Sequence, residues 1–222
     1  MITYHHDFEQ GSGDWAAQRC GMLTASEMDL IITPTLKVAN SDKQRSHLYE
    51  LLAQRLSKYV EPQYVSDAML RGENEEITAR ELYSEKYSPV KECGFVTNDR
   101  FGFSIGFSPD GLVGDGGLIE IKSRRQKFQA QTIIEGVLPA EFALQVQTGL
   151  LVSERKWCDF ISYSGGMPMF VLRIEPDPVI HKAIIEAATA FEKQLQEKLQ
   201  IYSRQAGKFL QTERKDYEEI IL

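Results

Sequence analysis

The sequence predicts an α/β or α+β fold in which helices cover a sheet. Segments with apolar residues at helical spacing lie in the first half of the chain and at its end. Between them lie shorter apolar or alternating segments that are typical of strands, interrupted by one further helical segment. Elements in this order pack in layers, with the apolar faces of the helices against the sheet.

The first predicted elements are helices. The segment TASEMDLII predicts a short helix, because Thr24 and Ser26 are candidate N-caps ahead of an apolar run. The segments SHLYELLAQRLSKYV and ENEEITARELYSEKY each predict an amphipathic helix, because their apolar residues recur every three or four positions.

The next predicted elements are strands joined by turns. VKECGFVTND predicts a strand and a turn. RFGFSIGFSPD alternates, which predicts a strand with Phe101, Phe103, Ile105 and Phe107 on one face and only small or polar residues, up to Asp110, on the other. LIEIK follows a Gly-Asp-Gly-Gly turn and predicts a second strand, paired with the first as a hairpin.

The remaining elements complete the sheet and close the fold. PAEFALQVQTGLLVS predicts a helix with proline near its start, and KWCDFISYS and MFVLRIEP predict two more strands. Residues 179–202 predict a long helix. The sequence contains no repeat, low-complexity tract or long linker, so we expect residues 1–222 to form a single domain.

The composition restricts the class of protein. No run of about eighteen apolar residues is present, and the start MITYHHDFEQ lacks the basic and apolar regions of a secretion signal, so we expect an intracellular protein that is not in the membrane. Cys20, Cys93 and Cys158 lack CxxC spacing, which predicts reduced thiols rather than a disulfide framework or a zinc cluster. The net charge of -7 argues against indiscriminate coating of nucleic acid but does not exclude a local basic groove.

Two carboxylates and a lysine converge in the predicted hairpin. Because side chains alternate along a strand, Glu120 and Lys122 share one face, while Ile119 and Ile121 point to the opposite, buried face. Asp110 lies at the end of the partner strand, where small residues leave room beside it. A carboxylate pair, completed by water and substrate phosphate, is an oxygen shell that Mg²⁺ accepts. The carbonyl of Ile121 is a further candidate ligand, and Lys122 would lie beside the attacking water.

Each part of this pattern also has an ordinary structural interpretation. Asp-Gly pairs are turn signals, and a Glu and a Lys on one face of a strand are common at a solvated edge. The combination of Pro-Asp, a turn and Glu-apolar-Lys in one hairpin is much rarer and favours a functional site.

Pro109-Asp110 followed by Glu120-Ile121-Lys122 resembles the motif of the PD-(D/E)XK nuclease superfamily. The rest of the chain is similar to the lambda exonuclease (YqaJ-type viral recombinase) family. WAAQRCGMLTASE resembles the family's N-terminal motif, RGENEEITAR its Gly-x-x-x-Glu helix, SPDGL and LQVQTGLLV its third and fifth blocks, and KWCDFISYS its aromatic strand. The resemblance covers almost the whole chain and implies a restriction-endonuclease-like core, with a central mixed sheet flanked by helices.

The resemblance implies a catalytic site with two Mg²⁺ ions, for which Mn²⁺ would substitute. The implied ligands are Asp110, Glu120 and the carbonyl of Ile121 for one ion and Glu76, partly through water, for the second. Glu73 and Glu75 are close enough in the sequence to take the role of Glu76 instead. Lys122 would orient or deprotonate the attacking water, and Gln147 would hold that water or the lysine side chain. Neighbouring carboxylates raise the pKa of a lysine, so Lys122 is either a base or an electrostatic clamp.

The resemblance also implies a pocket for the 5′-phosphate of a DNA end. Arg19, Ser26 and Ser108 would bind the phosphate, with Trp15 and Thr24 as further DNA-binding residues beside it. An arginine fork with two hydroxyls is suitable phosphate-binding chemistry. Ser26 at a helix start would add free N–H groups and the positive end of a helix dipole.

After Lys122 the sequence departs from the family pattern, which often continues with a small residue and a proline. Here Ser123, Arg124 and Arg125 follow. With Lys127, the two arginines form a candidate patch for the DNA backbone, although such a basic run is also typical of a solvated loop.

The reaction implied by the resemblance is two-metal phosphodiester hydrolysis: processive 5′ to 3′ digestion of one strand of linear duplex DNA to 5′-mononucleotides, which leaves a 3′ overhang. The implied assembly is a ring-shaped homotrimer, in which basic side chains need line only the channel. The overhang would pass to a phage-type single-strand annealing protein, in phage or prophage recombination in the cytoplasm of a bacterial host.

Two alternatives stay open at the level of sequence. One is a PD-(D/E)XK endonuclease that acts on specific DNA structures or sequences. The other is a catalytically silent scaffold that binds DNA ends during recombination. The intact set of Asp110, Glu120 and Lys122 argues against the scaffold.

Overall fold

The computed structural model describes residues 1–62 and 66–214, which form a mixed α/β structure. The helices are α1 (Gly13–Arg19), α2 (Met28–Ile31), α3 (Asp42–Ser57), α4 (Asp67–Lys86), α5 (Gln126–Glu135), α6 (Ala140–Ser153) and α7 (Pro178–Ala206). The strands are β1 (Ile2–His5), β2 (Leu23–Thr24), β3 (Val90–Lys91), β4 (Phe95–Asn98), β5 (Ile105–Phe107), β6 (Gly111–Val113), β7 (Gly117–Ser123), β8 (Trp157–Tyr163) and β9 (Phe170–Ile174).

A five-stranded mixed sheet lies at the centre, in the order β3-β6-β7-β8-β9. β7 and β8 are parallel, and the other neighbours in this sheet are antiparallel. Parallel neighbours need a long crossover connection, which α5 and α6 provide. The predicted central mixed sheet is therefore confirmed.

The predicted hairpin partner of β7 is wrong. β7 pairs with β6, with Gly111 opposite Ile119, whereas β5 belongs to a separate four-stranded sheet in the order β1-β4-β5-β2. Pro109 lies between β5 and β6 and has no N–H to donate to a ladder, so one continuous strand through this segment is unfavourable. The predicted strand over residues 100–110 is thus reduced to β5, and the partner of β7 is β6, which begins just after that segment.

Gly106, one of the small residues before Asp110, does not face open space. A Cβ atom on Gly106 would lie 2.2 Å from Cζ of Phe95, so the glycine makes room for that aromatic ring. Gly106 is buried together with both of its strand neighbours. The alternation in this segment reflects close packing between β4 and β5, and the expectation of free space for a ligand is wrong there.

β7 is buried on both faces, whereas its sequence predicts burial only of the face with Ile119 and Ile121. Leu118 belongs to the larger core cluster, which includes residues of α6 and α7. Ile119 and Ile121 point the other way into a smaller cluster with Ala79 and Tyr83 of α4. Charged side chains on the Leu118 face therefore enter a largely apolar environment.

The predicted helices are present, and polar caps fix where they begin. Ser41 and Ser66 accept N–H bonds at the starts of α3 and α4, and Asp177 does so ahead of Pro178 in α7. The predicted helix in TASEMDLII is only a turn of 3-10 helix over Ala25–Glu27, followed by the single turn of α2. None of the helices in the described residues is long and apolar enough to cross a membrane.

Candidate active site

Glu120 and Lys122 of β7 are at the centre of a charged cluster. Glu120 is 1% exposed, and its Oε1 accepts hydrogen bonds from Nε2 of Gln145 at 2.5 Å and from Nζ of Lys122 at 2.7 Å. The ammonium group of Lys122 also lies 5.6 Å from the centre of the Phe142 ring. α6 therefore covers this end of β7 with one polar and one aromatic side chain.

Asp110 joins the cluster from the residue before β6. The main-chain N–H of Ile121 donates to Oδ2 of Asp110 at 2.5 Å. Burial raises the pKa of Asp110 well above its ordinary value, and the charges of Glu120 and Glu76 raise it further. The predicted convergence of Asp110 with Glu120 is present, and the hairpin that produces it is formed by β6 and β7 rather than by β5 and β7.

Glu76 reaches the cluster from α4. Burial raises its pKa; the guanidinium of Arg80, 3.1 Å away, opposes this shift, and Glu120 adds to it. Glu75 points elsewhere and accepts hydrogen bonds from the Ser123 hydroxyl and the Gly165 N–H. The structure thus places Glu76, rather than Glu75, within electrostatic reach of the two carboxylates on the sheet.

Lys122 is held as an ammonium group. Burial alone would lower its pKa, but the charges of Glu120, Asp110 and Glu76 outweigh burial and raise the pKa above the ordinary value of a lysine. In the absence of bound metal ions, these charges favour the electrostatic-clamp interpretation of Lys122 over that of a base.

The cluster has the properties of a cation site. Oε2 of Glu120 is buried and has no hydrogen-bond partner among the described residues. Three carboxylates repel one another here, which a divalent cation would relieve. Among residues 1–62 and 66–214, no three His, Cys, Asp or Glu side chains are grouped closely enough to enclose a metal ion, so the protein would supply only part of a ligand shell. Two carboxylates and a carbonyl, with water and phosphate as the remaining ligands, are a set that Mg²⁺ accepts.

The placement of Gln147 corrects the sequence prediction. Its Nε2 donates to the carbonyl of Glu175 at 2.9 Å, and its Oε1 accepts the N–H of Asp177 at 2.8 Å. Both ends of the amide are thus bound to the connection between β9 and α7, and Gln147 does not hold Lys122. Gln145 has the position that was predicted for Gln147. Residues two apart on a helix point in nearly opposite directions, so a single helix face cannot contain both.

A second cluster lies beside the first and contains the residues predicted for the phosphate pocket. Nε1 of Trp15 donates to Oγ of Ser108 at 2.9 Å, and Nη1 of Arg19 donates to the same oxygen at 3.2 Å. Nη2 of Arg19 donates to Oγ1 of Thr24 at 3.3 Å, and that oxygen lies 3.2 Å from Oγ of Ser26. The structure brings all five residues together.

Arg19 is a partly buried cation without a paired anion. No carboxylate lies within ion-pair distance of it in residues 1–62 and 66–214. Burial lowers its pKa, which the charge of Glu27 only partly opposes. Its Cζ stacks 4.4 Å from the centre of the Trp15 ring. A partly buried guanidinium with neutral partners is a favourable site for a ligand anion.

The predicted contribution of a helix dipole at Ser26 is not supported. Thr24, rather than Ser26, is the capping residue, and its N–H and hydroxyl both donate to Oε2 of Glu27. The turn that follows contains only Ala25–Glu27, too short to sum a substantial dipole. Ser26 is exposed, and it joins the cluster only through its hydroxyl, which lies 3.2 Å from Oγ1 of Thr24.

The two arginines after β7 differ in environment. Arg124 pairs with Glu141 and lies 5.0 Å from the ring centres of both Phe128 and Phe142, with only 11% of its side chain exposed. It is therefore a packed structural residue, and its predicted role in a DNA-backbone patch is not supported. Arg125 is exposed and is the N-cap residue of α5, so a helix follows here rather than a solvated loop.

Known proteins are similar to this chain in both sequence and structure. The family model of the YqaJ-like viral recombinase domain matches residues 14–156. An alkaline exonuclease (LHK-Exo) from Laribacter hongkongensis has 33% sequence identity and a TM-score of 0.79, over 89% of this chain and 99% of that chain. The same exonuclease in complex with dAMP has 34% identity and a TM-score of 0.80, with the same coverage.

A more distant similarity concerns the fold alone. A phage related exonuclease from Haemophilus somnus has 14% identity and a TM-score of 0.54, over 80% of this chain and 96% of that chain. A comparison with curated protein sequences found no match.

Proposed function

The chain belongs to the family of the YqaJ-like viral recombinase domain, and on that premise we propose that it is a Mg²⁺-dependent exonuclease that digests one strand of linear duplex DNA from 5′ to 3′. The observation that carries this proposal is the short connection between the two clusters. Ser108 is in the arginine pocket and Asp110 is in the carboxylate cluster, with one residue between them. A bound terminal phosphate would therefore place the neighbouring phosphodiester close to the carboxylates.

The proposed metal ligands are Asp110, Glu120 and the carbonyl of Ile121, with Glu76 helping to hold a second ion through water. The ions, Mg²⁺ or in its place Mn²⁺, would supply an activated water and charge neutralisation at the phosphoryl group. The buried, unpartnered oxygen of Glu120 supports this assignment, because an isolated buried carboxylate oxygen is costly to leave without a positive partner.

The side chains around the carboxylates have separate roles in this proposal. Lys122 would stabilise negative charge on the phosphate and orient the attacking water. Gln145 fixes the Glu120 carboxylate by donating from its amide. Restricting the rotation of a ligand in this way is the usual function of such supporting groups.

The pocket of Arg19, Ser26 and Ser108 is proposed to bind the 5′-phosphate of the DNA end. Trp15 holds the Ser108 hydroxyl by its indole N–H and stacks on the guanidinium, so it orients two of the phosphate ligands together. Oγ1 of Thr24 accepts a hydrogen bond from Nη2 of Arg19 and so orients the other side of the guanidinium. An anion entering here would supply the counter-charge that Arg19 otherwise lacks.

The proposed biological setting follows the family. Release of 5′-mononucleotides would leave a 3′ overhang for a phage-type single-strand annealing protein, in the cytoplasm of a bacterial host. A ring-shaped homotrimer around the duplex is proposed because it reconciles a net charge of -7 with DNA binding, since only the channel needs basic side chains.

The deciding experiment uses a linear duplex with a 5′-phosphate on one end only and a different label on each strand, in Mg²⁺ or in EDTA. We expect Mg²⁺-dependent release of mononucleotides from the phosphorylated strand, while a closed circular duplex stays intact. Nicking of the circle would instead identify an endonuclease. Binding to ends without any cleavage would identify a scaffold.

A further inference from the structure

Arg19 stands at the first position of a tight turn. The N–H of Met22 donates to the carbonyl of Arg19 at 2.9 Å, with Cys20 at φ -54° and ψ 115° and Gly21 at φ +69°. These angles are those of a type II turn, which requires a positive φ at its third residue. The turn connects α1, which contains Trp15 and Arg19, to β2, so its shape sets the position of the guanidinium relative to the hydroxyls of the pocket.

Two consecutive residues of α3 bind the main chain of Gly21 in this turn. Oε1 of Gln54 accepts the N–H of Gly21 at 2.8 Å, and Nε of Arg55 donates to the carbonyl of Gly21 at 2.6 Å. The sulfur of Cys20 lies 3.5 Å from the carbonyl of Gln54 as well. Consecutive residues of α3 therefore fix both the donor and the acceptor of Gly21.

Arg55 is in turn fixed by Glu192 of α7. Its Nη1 and Nη2 donate to the two carboxylate oxygens of Glu192 at 2.9 and 2.5 Å. The Glu192 side chain is 7% exposed and that of Arg55 is 21% exposed. With Nε on the Gly21 carbonyl, every nitrogen of the guanidinium has a partner, and a planar fork bound in this way has little freedom to rotate.

The contact between Arg55 and the turn leaves no spare room. A Cβ atom on Gly21 would lie 2.5 Å from Cγ of Arg55 and 3.2 Å from its main-chain nitrogen. The stem of Arg55 thus lies directly against the turn, and a displacement of either one would move the other.

We propose that Arg55 and Glu192 are positioning residues for recognition of the 5′-phosphate: their ion pair fixes the turn at Gly21 and, through it, the guanidinium of Arg19. This inference rests on the proposed function, in which Arg19 binds that phosphate. A buried ion pair contributes little stability beyond what an apolar pair of the same size would give, but it restricts geometry strongly. Binding sites need such support, because small displacements of a ligand group reduce its effect steeply.

The primary test is Arg55→Lys. This variant keeps the positive charge but loses the bidentate pairing with Glu192 and the hydrogen bond from Nε to the carbonyl of Gly21. Fluorescence anisotropy in EDTA gives the Kd for a duplex with a 5′-hydroxyl and the Kd for the same duplex with a 5′-phosphate. The ratio of the first Kd to the second measures the discrimination between the two kinds of end. We expect the discrimination between the two ends to fall about tenfold. The matched control is Arg173→Lys, which disrupts the equally two-pronged pair with Asp159 between β8 and β9 and should leave the discrimination unchanged.

Two further variants separate positioning from stability. Gly21→Ala strains the turn and displaces Arg55 without removing any charged group, and Glu192→Gln leaves Arg55 without a full counter-charge. Both should lower the discrimination, and in Mg²⁺ they should raise KM for phosphorylated ends more than they change kcat. Should Arg55→Lys fail to fold, Gly21→Ala decides the question.

The outcomes are distinct. If the variants have a lower Tm but the wild-type discrimination, the ion pair is only structural and the inference is overturned. If the wild-type protein itself binds both kinds of end equally, the phosphate pocket of the proposed function fails first, and the positioning role fails with it.

Discussion

At the scale of single residues, Lys122 has the most unusual environment in the site. Its ammonium group lies 2.7 Å from Glu120 and within the field of two further carboxylates. That arrangement makes Lys122 both a counter-charge that the cluster needs and a donor for a phosphate oxygen or water. The sequence motif predicts its presence, and in the metal-free protein the surrounding carboxylates raise its pKa above the ordinary value of a lysine.

We expect Lys122→Ala to reduce cleavage of linear duplex DNA by about 100-fold or more while binding to ends changes little, because in the proposed function the lysine stabilises charge on the reacting phosphate. Single-turnover digestion and anisotropy on the same duplex would measure both effects. Lys91→Ala, on the exposed edge strand β3, is the matched control and should be fully active. Cleavage at the wild-type rate by Lys122→Ala would remove Lys122 from the mechanism.

Arg19→Ala should reduce the preference for 5′-phosphorylated ends by about 10- to 100-fold, since charge-assisted hydrogen bonds to one phosphate contribute about 1.5–3 kcal/mol. Competition between phosphorylated and unphosphorylated duplexes measures this directly. Arg45→Ala, which removes an exposed partner of Asp42 on α3, is the control. Equal losses on both kinds of end would contradict the pocket assignment.

At the scale of elements, α6 shows what the sequence leaves undetermined. The segment LQVQTGLLV predicts a helix, but the helix is apolar or buried over most of its circumference, so no polar stripe indicates which glutamine faces β7. Packing decides it: Gly149 lies so close to Phe107 that a Cβ atom there would be 2.6 Å from the ring. This contact fixes the rotation of α6 and directs Gln145 toward Glu120.

We therefore expect Gln145→Ala and Gln147→Ala to have different effects. Loss of Gln145 should lower kcat by about tenfold or more with little change in Tm, because it frees the Glu120 carboxylate. Loss of Gln147 should lower the free energy of unfolding by about 1–3 kcal/mol, because two main-chain groups lose their partner. Thermal melts and steady-state digestion of the two variants form a matched pair. A catalytic loss confined to Gln147→Ala would restore the original sequence prediction.

The elements that sequence patterns missed have a common physical cause. α1 has seven residues, none of them buried, and α5 is mostly polar, so neither has the apolar periodicity that identifies a helix. β6 has only three residues, Gly111–Val113, so it is too short for an alternating pattern to identify it as a strand. Strand pairing depends on contacts distant in sequence, and those are not encoded in a local alternation. The strongly patterned elements β7, β8 and α7 were predicted within a few residues.

At the scale of the whole molecule, the carboxylate cluster affects stability as well as chemistry. The pKa of Asp110 is raised by burial and by Glu120 and Glu76, so the folded protein binds a proton here more tightly than the unfolded chain does. The free energy of unfolding of the metal-free protein must then fall as pH rises from about 4, the ordinary value for Asp, toward the raised pKa.

Asp110→Asn has no such proton to lose, and it can still accept the N–H of Ile121. In EDTA at pH 8 we expect this variant to be more stable than the wild type, by about 1.4 kcal/mol for each unit of raised pKa, and the difference should vanish near pH 4. Urea denaturation across this pH range is the measurement. Asp115→Asn, in the exposed turn before β7, is the control. A stability difference that is independent of pH would contradict the interpretation that the buried, ionised carboxylate of Asp110 destabilises the fold.

The single residue between Ser108 and Asp110 has a consequence for the product. Pro109 fixes its own φ, and two residue steps of chain span at most about 7 Å, which is the scale of one nucleotide. In the proposed enzyme, one end of this segment would bind the terminal phosphate and the other end would determine which phosphodiester bond is broken. Stepwise release of single nucleotides would then be a property of the covalent chain itself.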